Sequence, residues 1–516
     1  MPKRRVQALG LCLAVLMLAA MPARAASVPH KPKLLVAIAI DQFRYDYLTR
    51  FASEYSGGFR RLMTEGAVFT SARYEHFPTV TAVGHSTFLT GAIPALSGIV
   101  GNEWFDRVAG KTVTSVSDET VQMLGGKGDG GASPHRLLVS TVGDELKIAD
   151  GGKSRVIGIS LKDRSAILPS GHMADGAFWF DTKTGHFVSS TYYFADLPGW
   201  VKDFNAGSPA DRYRGVRWLT HVLPEEAGEK LYAKLPGSPY GNELLEAIAE
   251  RAVEAEQLGR REAPDILAVS FSSNDYVGHA YGPDSAEVHD VCLQTDRLFD
   301  KFFRFLETRV GRQNLLIVLT ADHGVAPVPE VNHARKMPGG RMPGHAVTDA
   351  VEAALVQKYG EGKWIVGPSE NSLYLNLDLI RQKGLARTEV NLTAAQAARA
   401  VPHVFRVYTR EQLLSGQAME DQVGRRVMNG FYGPRSADVY VLLEPYWLFG
   451  ASGTTHGTTF SYDAHVPVIF MGSGIRPGRY FASIAPNDIA PTLAVILGVE
   501  TPSGSIGRVL SEMFAD

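Results

Sequence analysis

Cysteine is nearly absent from this 516-residue chain: only two occur, Cys12 and Cys292. Cys12 lies inside an N-terminal apolar run that reads as part of a removable leader. Without the leader no intrachain disulfide can form, so the fold must rest on its core, helped by bound metal. Cys292 falls in a helical pattern with Val288, Val291, Leu298, Phe302 and Phe305. That is the setting of a buried core thiol rather than a nucleophile. A charge surplus is missing as well. Lys and Arg number 52 against 54 Asp and Glu, a formal net charge of -2, so no nucleic-acid surface is expected. After the leader no apolar stretch is long enough to span a membrane. Internal repeats and low-complexity tracts are also lacking.

The leader itself is well marked. Lys3, Arg4 and Arg5 form a basic start, Leu9 to Ala20 an apolar run, and Ala23-Arg24-Ala25 a small-x-small cleavage signal. Residues 1–25 are therefore expected to be a signal peptide, which implies a periplasmic or secreted protein. An uncleaved anchor is the rival reading, but about 12 apolar residues is short against the ~20 a span needs. The remaining chain, residues 26–516, has ordinary globular composition, with 45% hydrophobic and 21% charged residues overall.

Several apolar runs read as fully buried parallel strands: Leu34 to Ile40, Arg155 to Leu161, Asp265 to Phe271, Leu315 to Thr320 and His465 to Phe470. Helical patterns lie between them, the clearest from Ser285 to Val310, entered through Pro283-Asp284, with another from Asn487 to Leu497. This alternation implies an α/β fold, a central, mostly parallel sheet sandwiched by helices. Two stretches break the rhythm, near 166–246 and near 327–449, the second holding its own strand at Ala437 to Leu443. Both are expected to be insertions that cap the active edge of one catalytic domain.

Acids and histidines follow these runs. Asp41 comes directly after the first. Asp275 and His279, four apart, share a face of a helical turn and can reach one ion. Asp322 and His323 are adjacent on a tight turn, and His456 sits in the flexible segment Ser452 to Gly457. Any one of these alone is better read as a cap or a satisfied core residue. Together, on matched strand ends where α/β sheets bind ligands, they offer enough donors for two metal ions. Carboxylate and imidazole donors suit zinc best, and the lack of Cys argues against a closed structural site. Two divalent ions against three carboxylates leave net positive charge, which invites an anion such as phosphate. Thr81 stands at the expected start of a helix, where backbone N–H groups and the dipole favour negative charge. His85 and Asp463 are weaker candidates for supporting roles, His85 beside Thr81 and Asp463 orienting His456.

The order Pro78-Thr-x-Thr81, Gly91, Gly101-Asn102, with Asn102 following Thr81 by 21 residues, resembles the alkaline phosphatase superfamily, on its threonine-nucleophile branch. That branch holds nucleotide pyrophosphatase/phosphodiesterases and bacterial phosphate-irrepressible alkaline phosphatases. The resemblance implies an alkaline phosphatase-like fold with two zinc ions per chain. One would be held by Asp275, His279 and His456, the other by Asp41, Asp322, His323 and the Thr81 oxygen. It implies Thr81 as nucleophile through a phosphothreonine, with Asn102, Lys162 and Arg164 on the phosphoryl oxygens. The Lys162-Asp163-Arg164 motif points to monoesterases, since a monoester dianion carries an extra charged oxygen that a Lys and a forked Arg can satisfy. The expected activity is thus zinc-dependent hydrolysis of small phosphate monoesters by a monomer, with phosphodiester or nucleotide pyrophosphate hydrolysis as the alternative. A metal-dependent phosphate-binding protein without turnover is a further alternative.

Overall fold

The computed structural model describes residues 31–128, 130–367 and 371–515. The expected signal peptide, residues 1–25, lies outside them. A ten-stranded sheet runs through the molecule in the order Gly478–Tyr480, Ala67–Phe69, Val468–Gly472, Leu315–Thr320, Leu34–Ile40, Asp265–Phe271, Val156–Ser160, Gly176–Asp181, His186–Ser190 and Met123–Leu124. The five strands from Leu315–Thr320 to Gly176–Asp181 are mutually parallel.

The central strand shows why its sequence is a continuous apolar run. All seven residues of Leu34–Ile40 are buried. Successive side chains point to opposite faces. Leu34, Val36, Ile38 and Ile40 pack into one core with the helices Gly58–Glu65, Pro239–Ala255 and Ala286–Val310. Leu35, Ala37 and Ala39 pack into another with the helices Thr81–Thr90, Val142–Asp150 and Ile489–Leu497. The alanines on this second face let the Thr81–Thr90 helix lie close to the sheet.

Register levels the strand ends. Leu34 pairs with Asp265 and with Leu315, so Ile40, Phe271 and Thr320 finish at one edge. The chain then delivers Asp41, Asp275 and Asp322 to that edge. Val468–Gly472 runs antiparallel to its neighbour, with Thr320 opposite Val468. Its beginning therefore lies at the same edge, which is how the preceding loop brings His456 there. This strand starts three residues later than the expected His465, because Ser461–Ala464 forms a short helix first and Pro467 has no N–H for the ladder.

The long helix, Ala286–Val310, is capped by Ser285, whose hydroxyl accepts from the Val288 N–H. Asp284, expected as its start signal, instead pairs with Arg50 and Arg335, each at 2.9 Å. Within residues 166–246, Gly176–Asp181 and His186–Ser190 form a hairpin that widens the central sheet. Within 327–449, a three-stranded sheet in the order Ser372–Leu373, Val439–Leu443, Val404–Thr409 packs under the helices Ala346–Tyr359 and Arg387–Arg399. Val351, Leu355, Trp364, Val390 and Val441 are the centre of a separate core there.

Candidate active site and metal centre

Asp41 is fully buried, with its N–H held by the Phe271 carbonyl at 3.0 Å. Asp275 sits in the first turn of the Ser273–Tyr281 helix and His279 one turn on, with 3.2 Å between Nε2 and Asp275 Oδ1. His456 Nε2 lies 3.8 Å from the same oxygen. His323 Nε2 lies 3.5 Å from Asp41 Oδ1, 3.4 Å from Asp322 Oδ2 and 3.4 Å from the Thr81 hydroxyl. Two groups of donor atoms converge within 4.8 Å of one another: Asp275, His279 and His456, and Asp41, Asp275 and His323. Asp275 thus reaches both groups, and Asp322 borders the second through His323.

The histidines are prepared as ligands in one way. Nδ1 of His279, His323 and His456 meets the backbone carbonyl of Thr454, Gly324 and Thr79 at 2.8, 2.9 and 2.9 Å. A carbonyl only accepts, so Nδ1 carries the proton and each Nε2 presents a lone pair inward. Burial keeps His323 neutral, its pKa lowered to about 3. Burial, then the neighbouring His323 and His279, hold His456 well below the ordinary value. His279 differs: burial opposes its charge, but Asp275 outweighs this and raises it. Asp41 Oδ1 and Asp322 Oδ2 are buried without a hydrogen-bond partner among the described residues. Two unpartnered carboxylate oxygens beside inward-facing imidazole nitrogens are a donor set that fits divalent cations of the zinc type.

Thr81 is the first residue of its helix and is 2% exposed. The next N–H, of Ala82, is taken by Asn102 Oδ1 at 2.8 Å, which leaves the Asn102 NH2 for the adjoining cavity. That cavity, of about 540 Å³, is walled by Asn102 and Arg164 from the core and by Tyr374 and Tyr440 from the second insertion. Arg164 Nε is buried and without a partner among the described residues. Lys162 is also buried. Its Nζ bonds Asp41 Oδ2 and Asp275 Oδ2 at 2.5 Å each. Burial disfavours its charge, but Asp275 and Asp41 overcome this and raise its pKa.

Two supporting assignments come out differently. His85 lies directly under Thr81: its Nδ1 donates to the Thr81 carbonyl at 2.8 Å, and, burial keeping the ring neutral, its Nε2 accepts from the Ser270 hydroxyl at 2.7 Å. Asp463 has no bond to His456. Its Oδ2 accepts from the Thr458 N–H and hydroxyl at 2.8 and 2.6 Å, which shapes the loop, and the Thr79 carbonyl orients His456 instead. Sequence reasoning missed Gln42. Its N–H donates to Asp322 Oδ1 at 3.0 Å and its side-chain NH2 to Asp275 Oδ1 at 2.8 Å. Asn274 was missed too; its NH2 donates to the carbonyls of Asp41 and Gln42 at 3.1 and 3.0 Å.

Comparison with known proteins agrees with this geometry. Residues 35–464 match the family model of type I phosphodiesterase / nucleotide pyrophosphatase. Alkaline phosphatase PafA of Elizabethkingia meningoseptica is 36% identical over 94% of each chain. Alkaline phosphatase PhoV of Synechococcus elongatus is 36% identical over 94% of this chain and 93% of its own. A protein of Myroides odoratus named as a calcium-transporting ATPase is 38% identical over 94% of this chain and 95% of its own. Among the described residues, however, no helix is long and apolar enough to cross a membrane. The crystal structure of PafA superimposes with a TM-score of 0.89 at 35% identity, covering 95% of this chain and 100% of that one. Murine ectonucleotide pyrophosphatase / phosphodiesterase 5 shares the fold at a TM-score of 0.55 and 14% identity. The chain belongs to the type I phosphodiesterase / nucleotide pyrophosphatase family and has the α/β fold of the alkaline phosphatase superfamily.

Proposed function

We propose that this chain is an exported, zinc-dependent alkaline phosphatase that hydrolyses small phosphate monoesters through a phosphothreonine at Thr81. The observation that carries the reading is the convergence of Asp41, Asp275, His279, His323 and His456 on one sheet edge beside Thr81. The relatives named as alkaline phosphatases support the same reaction. These side chains, with Asp322, would hold divalent metal ions, which when bound would supply positive charge for the entering and leaving oxygens of an in-line displacement.

The chain's own residues do the rest. Thr81 presents its hydroxyl at the positive end of a ten-residue helix, where an alkoxide is favoured. His323 Nε2, an acceptor, faces the hydroxyl. Thr81 Oγ1 gives up its proton and forms the bond to phosphorus as the bond from phosphorus to the ester oxygen breaks. The ester oxygen leaves as the alcohol with a proton, and water then attacks the phosphothreonine, breaking the Oγ1–phosphorus bond to release phosphate and restore the threonine hydroxyl. Asn102 and Arg164 line the cavity and donate to the phosphoryl oxygens as charge shifts among them. Lys162 adds a fixed positive charge between Asp41 and Asp275. A phosphodiesterase is the second reading, favoured by the family model. A diester has one charged oxygen fewer and needs these cations less. The double variant Lys162→Ala plus Arg164→Ala separates the two. Monoester kcat/KM is expected to fall about 10²-fold or more relative to diester kcat/KM. Equal loss on both substrates contradicts the monoesterase role of the pair.

A further inference from the structure

Asp438 is fully buried in the second insertion and gathers cations. Its Oδ2 accepts from Arg107 Nη2 at 2.7 Å and from the Leu375 N–H at 2.8 Å, and its Oδ1 accepts from Arg387 Nε at 2.9 Å. Arg410 is crowded by the same cluster. Burial, and then repulsion from Arg387, lower its pKa, while Asp438 and Glu411 act the other way. Two guanidinium groups therefore share one buried carboxylate, and Arg410, which donates to the Gly433 carbonyl at 2.7 Å, adds a third cation nearby. Arg107 Nε is itself buried and without a partner among the described residues.

A cavity of about 630 Å³ opens on this cluster. Arg107 and Arg387 stand in its wall, Arg381 at the rim is neutralised by its ion-pair partner Asp378, and Phe105, Ile380 and Leu385 give it apolar surface. It shares no lining residue with the catalytic cavity and is divided from it by Tyr374, over whose ring Arg107 stacks at 5.3 Å. A half-buried guanidinium surplus is unfavourable without counter-charge. Its planar fork fits carboxylate or phosphate oxygens. The volume is that of a small-molecule site, typically ~300–1,000 Å³.

We propose that this cavity binds an organic anion, its carboxylate or phosphate head on Arg107 and Arg387 and its apolar body against Phe105 and Ile380. This inference stands apart from the catalytic reading. The test is calorimetric titration of the metal-loaded full chain with 4-phenylbutyrate. One saturable site per chain is expected, retained in Arg164→Ala and weakened at least about tenfold in Arg387→Ala. Because Arg387→Ala strips a partner from buried Asp438, Leu385→Glu is the second variant. It places a carboxylate on the cavity wall without touching the Asp438 contacts, and the same weakening is expected. Absence of saturable binding to the wild type overturns the proposal. So does equal affinity in the wild type and both cavity variants, or a loss confined to Arg164→Ala.

Discussion

Thr81 opens its helix without help from the residue before it. Val80 offers no side-chain oxygen, and the Ala82 N–H is taken by Asn102. One hydrogen bond therefore ties the proposed nucleophile to a proposed phosphoryl ligand. Replacing Thr81 by Ala keeps that bond, which uses the backbone, and leaves the carboxylate and imidazole donors intact. The variant is expected to lose at least about 10³-fold in kcat, to retain its metal content by elemental analysis, and to show no acid-stable phosphoprotein after quench. A phosphorylated Thr81→Ala protein would place the nucleophile elsewhere. At this scale Asp41, Asp275, Asp322 and His323 stood out because reactive side-chain types follow apolar runs, whereas His456 precedes its strand. Gln42 was not. A glutamine after an aspartate carries no signal, and its role depends on a left-handed backbone, φ 62°, and on reaching Asp275, 233 positions away.

The Thr81–Thr90 helix is placed by a close approach of two backbones. A Cβ on Gly84 would stand 2.2 Å from the Asp322 carbonyl oxygen. Gly84→Ala must therefore push the helix from the turn that carries Asp322 and His323. A loss of about 1–3 kcal/mol in denaturant unfolding is expected, with a fall in activity beyond what the folded fraction explains. Wild-type stability and rate would show that the helix moves freely. The helix Pro239–Ala255 gives a pH prediction. Glu246, facing the Ala286–Val310 helix through Lys301 at 2.9 Å, has its pKa raised to about 7, by burial first, against an ordinary 4.5. The folded state then holds a proton that the unfolded state has released, so stability falls as pH rises from about 4.5 to about 7. Glu246→Gln is expected to remove that slope, on the order of 2 kcal/mol between its ends, as read from melting temperatures at pH 5 and pH 8. An unchanged slope would assign it to other groups. Long buried strands and the long helix were legible from periodicity. The hairpin Gly176–Asp181 and His186–Ser190 was less so, because short aromatic strands around the turn at Gly185, φ 74°, resemble an irregular insertion.

The whole molecule joins a level sheet edge to the segment 327–449, whose Tyr374 and Tyr440 line the cavity beside it. Parallel register carries three acidic segments to that edge, and the one antiparallel strand beside them brings the His456 loop. The parallel half of this arrangement was readable from continuous apolar runs. The antiparallel strand was not, since a buried strand has the same composition in either direction. Cys292 is the sole described cysteine, free and buried, so covalent cross-links contribute nothing within the described residues. If the proposed metal is bound, buried carboxylates with unpartnered oxygens would make that binding a folding contribution as well as a catalytic one. Metal dependence and monoester preference are together the signature of the proposed enzyme. The most direct test compares hydrolysis of p-nitrophenyl phosphate with that of bis-p-nitrophenyl phosphate at alkaline pH, before chelation, after chelation and after zinc is returned. A strong monoester preference that chelation abolishes and zinc restores is the expected result. Diester preference, or monoester turnover that survives complete removal of metal, would contradict it.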